Sequence, residues 1–483
     1  MERDIVTSLH DRRAVIAQIM LKANKDSTEF NQPEEYVGGF TSPDSEANRA
    51  SGDFKYHKSL MSQDASEKRK KAAWPESMGK EAFQGVAGCF VELVEPHSEA
   101  DPAALLAQFL VAAGNMAGRS PYFEVEADRH RLNLFIAIVG ETSKGRKGTS
   151  WGHARKILVE ADSEWRKRIM SGMSSGEGVI WQVRDPIFKQ EPIKENRIVV
   201  GYQDVQADPG VKDKRLLVLE SELASTLRVI GREGNTLSAI TRQAWDDGTL
   251  QTLTKNSPAV ATDAHISIIG HITRDEFRRY LDRTEVANGF ANRFLLVCAR
   301  RARVLPEGGK IKEVDFTSVV TRLREVARFT SQEVRLTKTD NAKGLWSEVY
   351  PELSEGKPGL LGAITGRAEA QVMRLAALYA VLDLSRWIDV PHLVAALEFW
   401  SYAESSARYI FGDAIGDPVA DEILTLLRAT PEGVSRTEIR DLFKRHKSKG
   451  QIDRALGVLE DNGLATMRVT QTEGRPLEKW FSI

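Results

Sequence analysis

Five short apolar runs stand out in the middle of the chain: Asn133-Leu-Phe-Ile-Ala-Ile-Val139, Arg197-Ile-Val-Val-Gly201, Arg215-Leu-Leu-Val-Leu-Glu220, His265-Ile-Ser-Ile-Ile-Gly270 and Arg293-Phe-Leu-Leu-Val-Cys-Ala299. Near-continuous apolar runs of this length suit strands buried on both faces. Helical stretches separate them, and strands alternating with helices predict a parallel α/β sheet over 131–302. Upstream, Phe83–Val94 and Pro102–Met116 read as helices; the second places Leu105, Leu106, Phe109, Leu110 and Val111 close to helical period. Tyr122-Phe-Glu-Val-Glu126 reads as a strand within a lead-in, 81–130, that is otherwise helical. Downstream, 303–416 reads as mostly helical, with Ala368–Leu384 and Pro391–Phe411 as examples.

The last segment, 417–483, carries its own pattern. Helices are expected over Val419–Arg428, Arg436–Arg445 (capped by Ser435) and Gln451–Asn462 (closed by Gly463). Two strands follow, Leu464–Thr470 and Leu477–Ile483, joined by Glu473-Gly-Arg-Pro476. Three helices plus a β-hairpin predict a winged helix-turn-helix. At the other end, residues 1–80 form a polar tail. Ile5, Ile16, Met20 and Leu21 allow a short amphipathic helix over 1–22, whereas 23–72 has too little apolar surface to offset ordering entropy. That tail ends in Lys68-Arg-Lys-Lys71, a solvated basic run or a phosphate contact.

Composition narrows the class. The 483 residues are 41% hydrophobic, enough for several domains with real cores. Lys+Arg (67) balances Asp+Glu (68), which excludes a uniformly basic nucleic-acid coat but leaves room for local patches. Cys89 and Cys298 are the only cysteines, so a disulfide scaffold and a thiolate metal cluster are excluded and a reducing cytoplasm fits. No apolar run reaches the roughly 18 residues that span a bilayer, and the N-terminus lacks an apolar signal segment. The expectation is a soluble cytoplasmic protein with no membrane partner.

The sharpest chemical signal is Gly140-Glu-Thr-Ser-Lys144-Gly145-Arg146-Lys147-Gly148-Thr149-Ser150, which follows a buried strand and opens a helix. That is the context of a phosphate-binding loop: glycines let backbone N–H groups converge on phosphate oxygens, the helix start adds positive potential, and a lysine reaches the outer phosphates. Gly140, Thr142, Lys144, Gly145, Arg146, Lys147, Gly148, Thr149 and Ser150 are therefore the candidate ATP-binding residues. The spacing is one residue longer than G-x-x-x-x-G-K-[ST], which makes Lys147 the working lysine and Thr149 the Mg²⁺ ligand. A Gly/Lys-rich surface turn is the competing reading.

Other candidates fall near strand ends, where α/β proteins bind ligands. Glu220 would support Mg²⁺ at the end of Arg215–Glu220, and Glu222 would orient the attacking water. Glu177, in the Gly/Ser-rich stretch Ser171–Gly178, is the rival for that carboxylate role. His271 would sense the terminal phosphate. Arg293 would act across a subunit interface as an arginine finger, with Arg300 and Arg301 as rivals. Lys255 could touch phosphate or DNA, although a surface lysine is the plainer reading. In 417–483, 11 Lys/Arg balance 11 Asp/Glu, but Lys444, Arg445, Lys447 and Lys449 cluster before the third helix and Arg454 lies on it, as DNA contacts would. A protein-interaction module is the alternative there.

Taken together, Gly140–Gly152, Ser174-Ser-Gly-Glu-Gly178, Leu217-Val-Leu-Glu-Ser-Glu222, Gly270-His-Ile-Thr273, Asn288-Gly-Phe-Ala-Asn-Arg-Phe294 and the hairpin Gly474-Arg-Pro…Lys479-Trp480 resemble the DUF3987-type RecA-like ATPases of bacteria and prophages. These occur alone or as the helicase-like half of primase-polymerases. The resemblance covers roughly 80–480. It implies a RecA-like P-loop NTPase core, ATP and Mg²⁺, assembly into a homo-oligomer such as a hexameric ring, and DNA, single-stranded or forked, as partner. It further implies a link to replication of a mobile element, alongside a primase or replication partner. The expected activity is an ATP-dependent helicase or translocase. The alternatives are a nucleotide-switched DNA-binding or scaffold protein and an NTPase of a phage-defence system.

Overall fold

The computed structural model describes residues 73–483 apart from 143, 196, 254–258, 282, 358, 413–416, 462 and 471–476. The expected N-terminal helix and polar tail therefore lie outside the described residues, as do Lys255 and the turn Glu473–Pro476. The chain divides into Met1–Ala73 and Trp74–Ile483, and every described element belongs to the second unit. None of the described helices is long and apolar enough to cross a membrane.

The protein is α/β. Its central feature is a parallel sheet of β1 (Phe135–Val139), β2 (Ile169–Met170), β3 (Arg215–Glu220), β4 (His265–Ile272) and β5 (Phe294–Cys298), in the order β5-β1-β4-β3-β2. Every residue of β1, β4 and β5 is buried, as their unbroken apolar runs require.

The register assigns each strand residue to a face. Phe135, Ala137 and Val139 share one face with Leu216, Val218, Ile266, Ile268, Phe294 and Leu296. That face merges with α3 (Gly176–Gln182), α4 (Leu223–Ile230), α5 (Leu237–Asp246) and the end of α8 (Val390–Phe411) through Ile180, Leu227, Ile240 and Phe411.

The opposite face lies under α1 (Pro102–Ala117) and the α2 helix (Lys147–Ala161) that packs against it. Asp101 caps α1 by accepting from Ala103 N at 3.0 Å, Pro102 fits the first turn, and Gly118 ends the helix at φ 77°. From Ala103 to Ala117 the whole of α1 is buried, so its two amides must find partners inside. Asn115 Nδ2 donates to Leu216 O and His265 O, both at 3.1 Å, while its Oδ1 accepts from Trp165 Nε1 at 2.9 Å. This ties β3 and β4 to the helix. At the far edge, α8 covers β5: Cys298 N donates to Ser406 Oγ at 3.1 Å and Tyr402 OH donates to Cys298 O at 2.7 Å.

Four of the five expected strand runs lie in this sheet. Arg197–Gly201 does not. It belongs to an antiparallel hairpin, Ile187–Glu195 with Ile198–Asp208, and the sheet's place at that edge is taken by the two-residue β2. Ile198 is 68% exposed, Tyr202 66%, Phe188 60% and Val200 55%. The run pairs with its sequence neighbour rather than with the sheet. An apolar run carries strand propensity but does not say which partner satisfies it. The hairpin's base is held by Arg184, whose guanidinium grips Asp208 through Nε and Nη2 at 2.9 Å each.

A second sheet of four strands joins Trp387–Ile388, Val334–Lys338, Pro121–Val125 and Asp128–Arg131. Segments before and after the parallel sheet thus meet, and the region 303–416, read as mostly helical, contributes two strands, with α6 (Asp340–Ser354) between them in the chain. From α7 (Ala368–Leu382), the fully buried Arg374 donates to Asn133 O at 2.8 Å and Trp245 O at 2.8 Å and stacks 3.6 Å from the centre of the Trp245 ring. Burial pushes its guanidinium down to about 9.

The C-terminal segment builds a separate core. Helices α9 (Pro418–Ala429), α10 (Arg436–Leu442) and α11 (Lys449–Asp461) enclose Ile423, Leu427, Ile439, Leu456 and Trp480. Beside them lies a three-stranded sheet ordered Val434–Ser435, Leu477–Ser482, Ala465–Thr470. Ser435 and Glu438 form a reciprocal cap at α10, and Arg436 ties α10 to Asp453 on α11 and, at 2.7 Å, to Glu478 on the ribbon.

Replacing residues 189–206 with a short glycine-containing turn should move the calorimetric midpoint by less than about 3 °C, because the hairpin above Arg184 and Asp208 is exposed nearly throughout. A fall beyond about 10 °C would make the hairpin part of the folding core.

Candidate functional site

β1 ends beneath a loop, residues 140–146, that opens α2. The loop is pinned by its neighbours: Gly140 N donates to Ile272 O at 3.1 Å and Ala299 N donates to Val139 O at 2.8 Å. A Cβ on Gly140 would lie 2.3 Å from Ala299 O, so only glycine fits there. At Gly145 a Cβ would meet Glu141 O at 2.9 Å.

The extra residue in the loop is absorbed at Arg146. Its backbone is left-handed, φ 49° and ψ 26°, and its guanidinium turns away to Glu99 at 2.6 Å. The lysine position falls to Lys147, the first residue of α2. Its Nζ reaches back over the loop to donate to Gly140 O at 2.7 Å and Glu141 O at 3.0 Å. Burial lowers the ammonium's pKa, against the charge of nearby Glu276. Among the described residues, the N–H groups of Gly145, Arg146 and Gly148 meet no acceptor. Thr142, Lys144 and Thr149 are exposed. Lysine, free N–H groups and helix start make this loop able to hold a polyphosphate.

Ser150 points inward. Its hydroxyl donates to Lys147 O at 2.8 Å and accepts from Gln108 Nε2 at 2.5 Å, so it is committed to α2 and α1. Gln108 also donates to Ala104 O at 3.2 Å and accepts at Oε1 from His271 Nε2, 2.9 Å away. His271 is 4% exposed at the end of β4. Burial, reinforced by the Lys147 charge, pushes its imidazole down to about 4, so it is neutral at pH 7.

The acids gather elsewhere. Glu220 is paired in register with Gly270, two positions short of Ile272 and on the opposite face from His271. Its Oε1 accepts from Gly172 N and Met173 N, both at 2.8 Å, while Oε2 bonds to no described residue. Glu177 sits in the first turn of α3 and accepts from Thr236 Oγ1 at 3.0 Å. Glu220 and Glu177 thus flank one loop, Ser171–Ser175. Glu222 is exposed at the start of α4.

Arg293 does not face outward. It is 4% exposed, donates to Asp246 Oδ2 at 2.7 Å and also binds Gly289 O within its own turn. An arginine finger needs a guanidinium free to reach a neighbour; this one is spent on an internal ion pair. Arg301 lies 3.8 Å from Glu99, and Arg300 is exposed with its guanidinium 5.2 Å from the Trp74 ring.

Among the described residues, no cluster of three or more His, Cys, Asp and Glu side chains could hold a metal alone. Mg²⁺ carried by a nucleotide needs few protein ligands, since phosphates and water supply most of its six oxygens. The exposed Thr149 hydroxyl and Glu220 Oε2 are donors of the right chemistry. Cys298 offers no reactive thiol: burial pushes it up to about 12.

Of the basic C-terminal group, Lys444, Arg445, Lys449 and Arg454 are exposed and Lys447 is half-buried. Lys444 and Arg445 stand at φ 48° and 62°, a tight left-handed turn between α10 and α11. Arg445 spends part of its charge on Asp441 at 3.0 Å. Ile452, Ala455, Leu456 and Leu459 turn α11's other side inward.

The sequence reading missed Gln108, Glu99 and Glu276. For Gln108 a signal was available: it and Asn115 are the only polar side chains of α1. Glu99 and Glu276 carry no such mark. No protein-family model matches the chain, and no curated protein matches it in sequence.

His271 and His265, the latter pushed to about 3, predict an acid-labile fold. Unfolded imidazoles titrate near 6.5, so below that pH the unfolded chain takes up protons that the folded one refuses. Stability is therefore full above about 6.5 and falls as pH drops toward 4. His271 alone contributes a loss on the order of 3 kcal/mol. Urea unfolding at pH 7.5, 6 and 5 should show the decline, less steep in His271→Asn; equal stability at 7.5 and 5 would contradict it.

Proposed function

We propose that this protein is an ATP-hydrolysing P-loop enzyme with a RecA-like core that works on DNA through a C-terminal winged helix-turn-helix. The observation that carries the reading is the position of Lys147. It reaches across a glycine loop at the carboxyl end of β1, beside β4. Between these two strands the chain's direction of travel reverses, because β1 leads toward β2 at one edge and β4 leads to β5 at the other. Crevices of this kind are where α/β sheets bind ligands.

In this reading Gly140, Gly145 and Gly148 let the backbone close on the phosphates and Lys147 leaves its carbonyl partners for them. Thr149 and Glu220 would hold Mg²⁺, which when bound neutralises phosphate charge. Glu222 or Glu177 would place the attacking water. Phosphoryl transfer asks mainly for such positioning and charge neutralisation. Lys444, Arg445, Lys447, Lys449 and Arg454 would contact DNA phosphates. With Arg293 internal, Arg300 is the exposed arginine beside the loop that could serve a neighbouring subunit of a ring. A place in mobile-element replication, with a primase or similar partner, extends this reading.

A second reading, a nucleotide-switched DNA-binding protein with slow turnover, is favoured by two details: Glu220 Oε1 is already occupied by backbone N–H groups, and Arg293 is buried. An NTPase of a phage-defence system would use the same site.

Hydrolysis of ATP by the purified protein, with and without single-stranded or forked DNA, separates them, together with its mass in ATP. The motor reading expects DNA-stimulated turnover in a ring-sized particle, reduced about 100-fold in Lys147→Ala. Tight ATP binding without stimulated turnover, in a monomer or dimer, would assign the switch instead.

A further inference from the structure

The Gln108 side chain hydrogen-bonds both to His271 at the end of β4 and to Ser150 in the first turn of α2. Its orientation is not free. Nε2 faces Ala104 O at 3.2 Å and Lys147 O at 3.5 Å, and carbonyl oxygens can only accept. The amide nitrogen must therefore lie on that side, which turns Oε1 toward His271. An amide oxygen can only accept, so His271 Nε2 must carry the proton. A neutral imidazole holds a single N–H, and Nδ1 is left with a lone pair. Nδ1 makes no hydrogen bond to any described residue. The next residue, Ile272, accepts from Gly140 N at 3.1 Å, which sets the end of β4 that carries His271 beside the loop after β1.

We propose that Gln108 is a positioning residue that locks His271 in its Nε2–H tautomer, so that Nδ1 accepts a hydrogen bond from the attacking water. The proposal rests on the nucleotide-binding reading above and refines the expected role of His271. A phosphate oxygen has no proton to give, so an Nδ1 lone pair cannot bind it. A water molecule in line with the terminal phosphate has one. His271 orients that water and takes no proton from it; a ring so resistant to protonation is a poor base.

The tautomer can be observed directly. Magic-angle-spinning NMR of the full chain labelled with ¹³C,¹⁵N-histidine distinguishes Nε2–H from Nδ1–H rings, and His271→Asn assigns the signal among nine histidines. Wild type should give Nε2–H at pH 7. Gln108→Met should give a tautomer mixture and lower kcat by about 10- to 100-fold, with the affinity for a non-hydrolysable ATP analogue unchanged.

An Nδ1–H ring in wild type overturns the proposal, even if no Gln108 variant folds. So does an unchanged tautomer in Gln108→Met. Absence of ATP hydrolysis strikes the function proposed above but leaves the tautomer result standing, so the two failures are distinguishable.

Discussion

Two amides on one buried helix organise this molecule. α1 is apolar on nearly every side, and its burial obliges Gln108 and Asn115 to find partners inside the protein. An unsatisfied buried amide costs about 1–3 kcal/mol. The two lie about two turns apart on the same face, so they also set how far the helix slides along the strands. Asn115 reads the amino ends of β3 and β4 through Leu216 O and His265 O. Gln108 reads the carboxyl end of β4 and the start of α2 through His271 and Ser150. Hydrophobic burial would hold α1 against the sheet at many offsets; the hydrogen bonds select one.

That selection governs the site. The loop after β1 is shaped by contacts from two neighbouring strands: Gly140 lies against Ala299 beyond β5 and bonds to Ile272 of β4. Arg146 takes up the extra residue in a left-handed kink, and its pairing with Glu99 turns it away. Lys147 is left facing the loop. The acids are held with similar restraint, since Glu220 accepts from Gly172 N and Met173 N of one loop and Glu177, just beyond it, accepts from Thr236. The exception to this economy is the hairpin 187–208, whose Phe188, Ile198, Val200 and Tyr202 stay exposed above a firmly paired base.

Parts of this were legible without coordinates. β1, β3, β4 and β5 could be read because a strand buried on both faces tolerates almost no polar residue. The turn from β1 into α2 could be read because a glycine directly after an apolar run ends a strand. α1 could be read from its periodicity, although its two amides passed without comment. Arg293 shows the limit. A basic residue at the start of a strand looks the same whether it faces solvent or Asp246, since the partner lies far away in sequence and only folding brings it close.

Local chemistry, then, determined which segments become strands and helices, where a glycine-rich loop joins β1 to α2 and where the basic cluster of 444–454 lies. Those properties depend on near neighbours in the chain. Tertiary structure decided the rest: that Arg197–Gly201 pairs within a hairpin while two residues, Ile169 and Met170, complete the sheet; that Lys147 and not Arg146 faces the loop; and that Gln108 joins His271 to Ser150. The physical reason is that desolvation and hydrogen-bond satisfaction act through space. A buried donor or acceptor answers to whatever the fold sets beside it, and that identity is not written within reach of a local pattern.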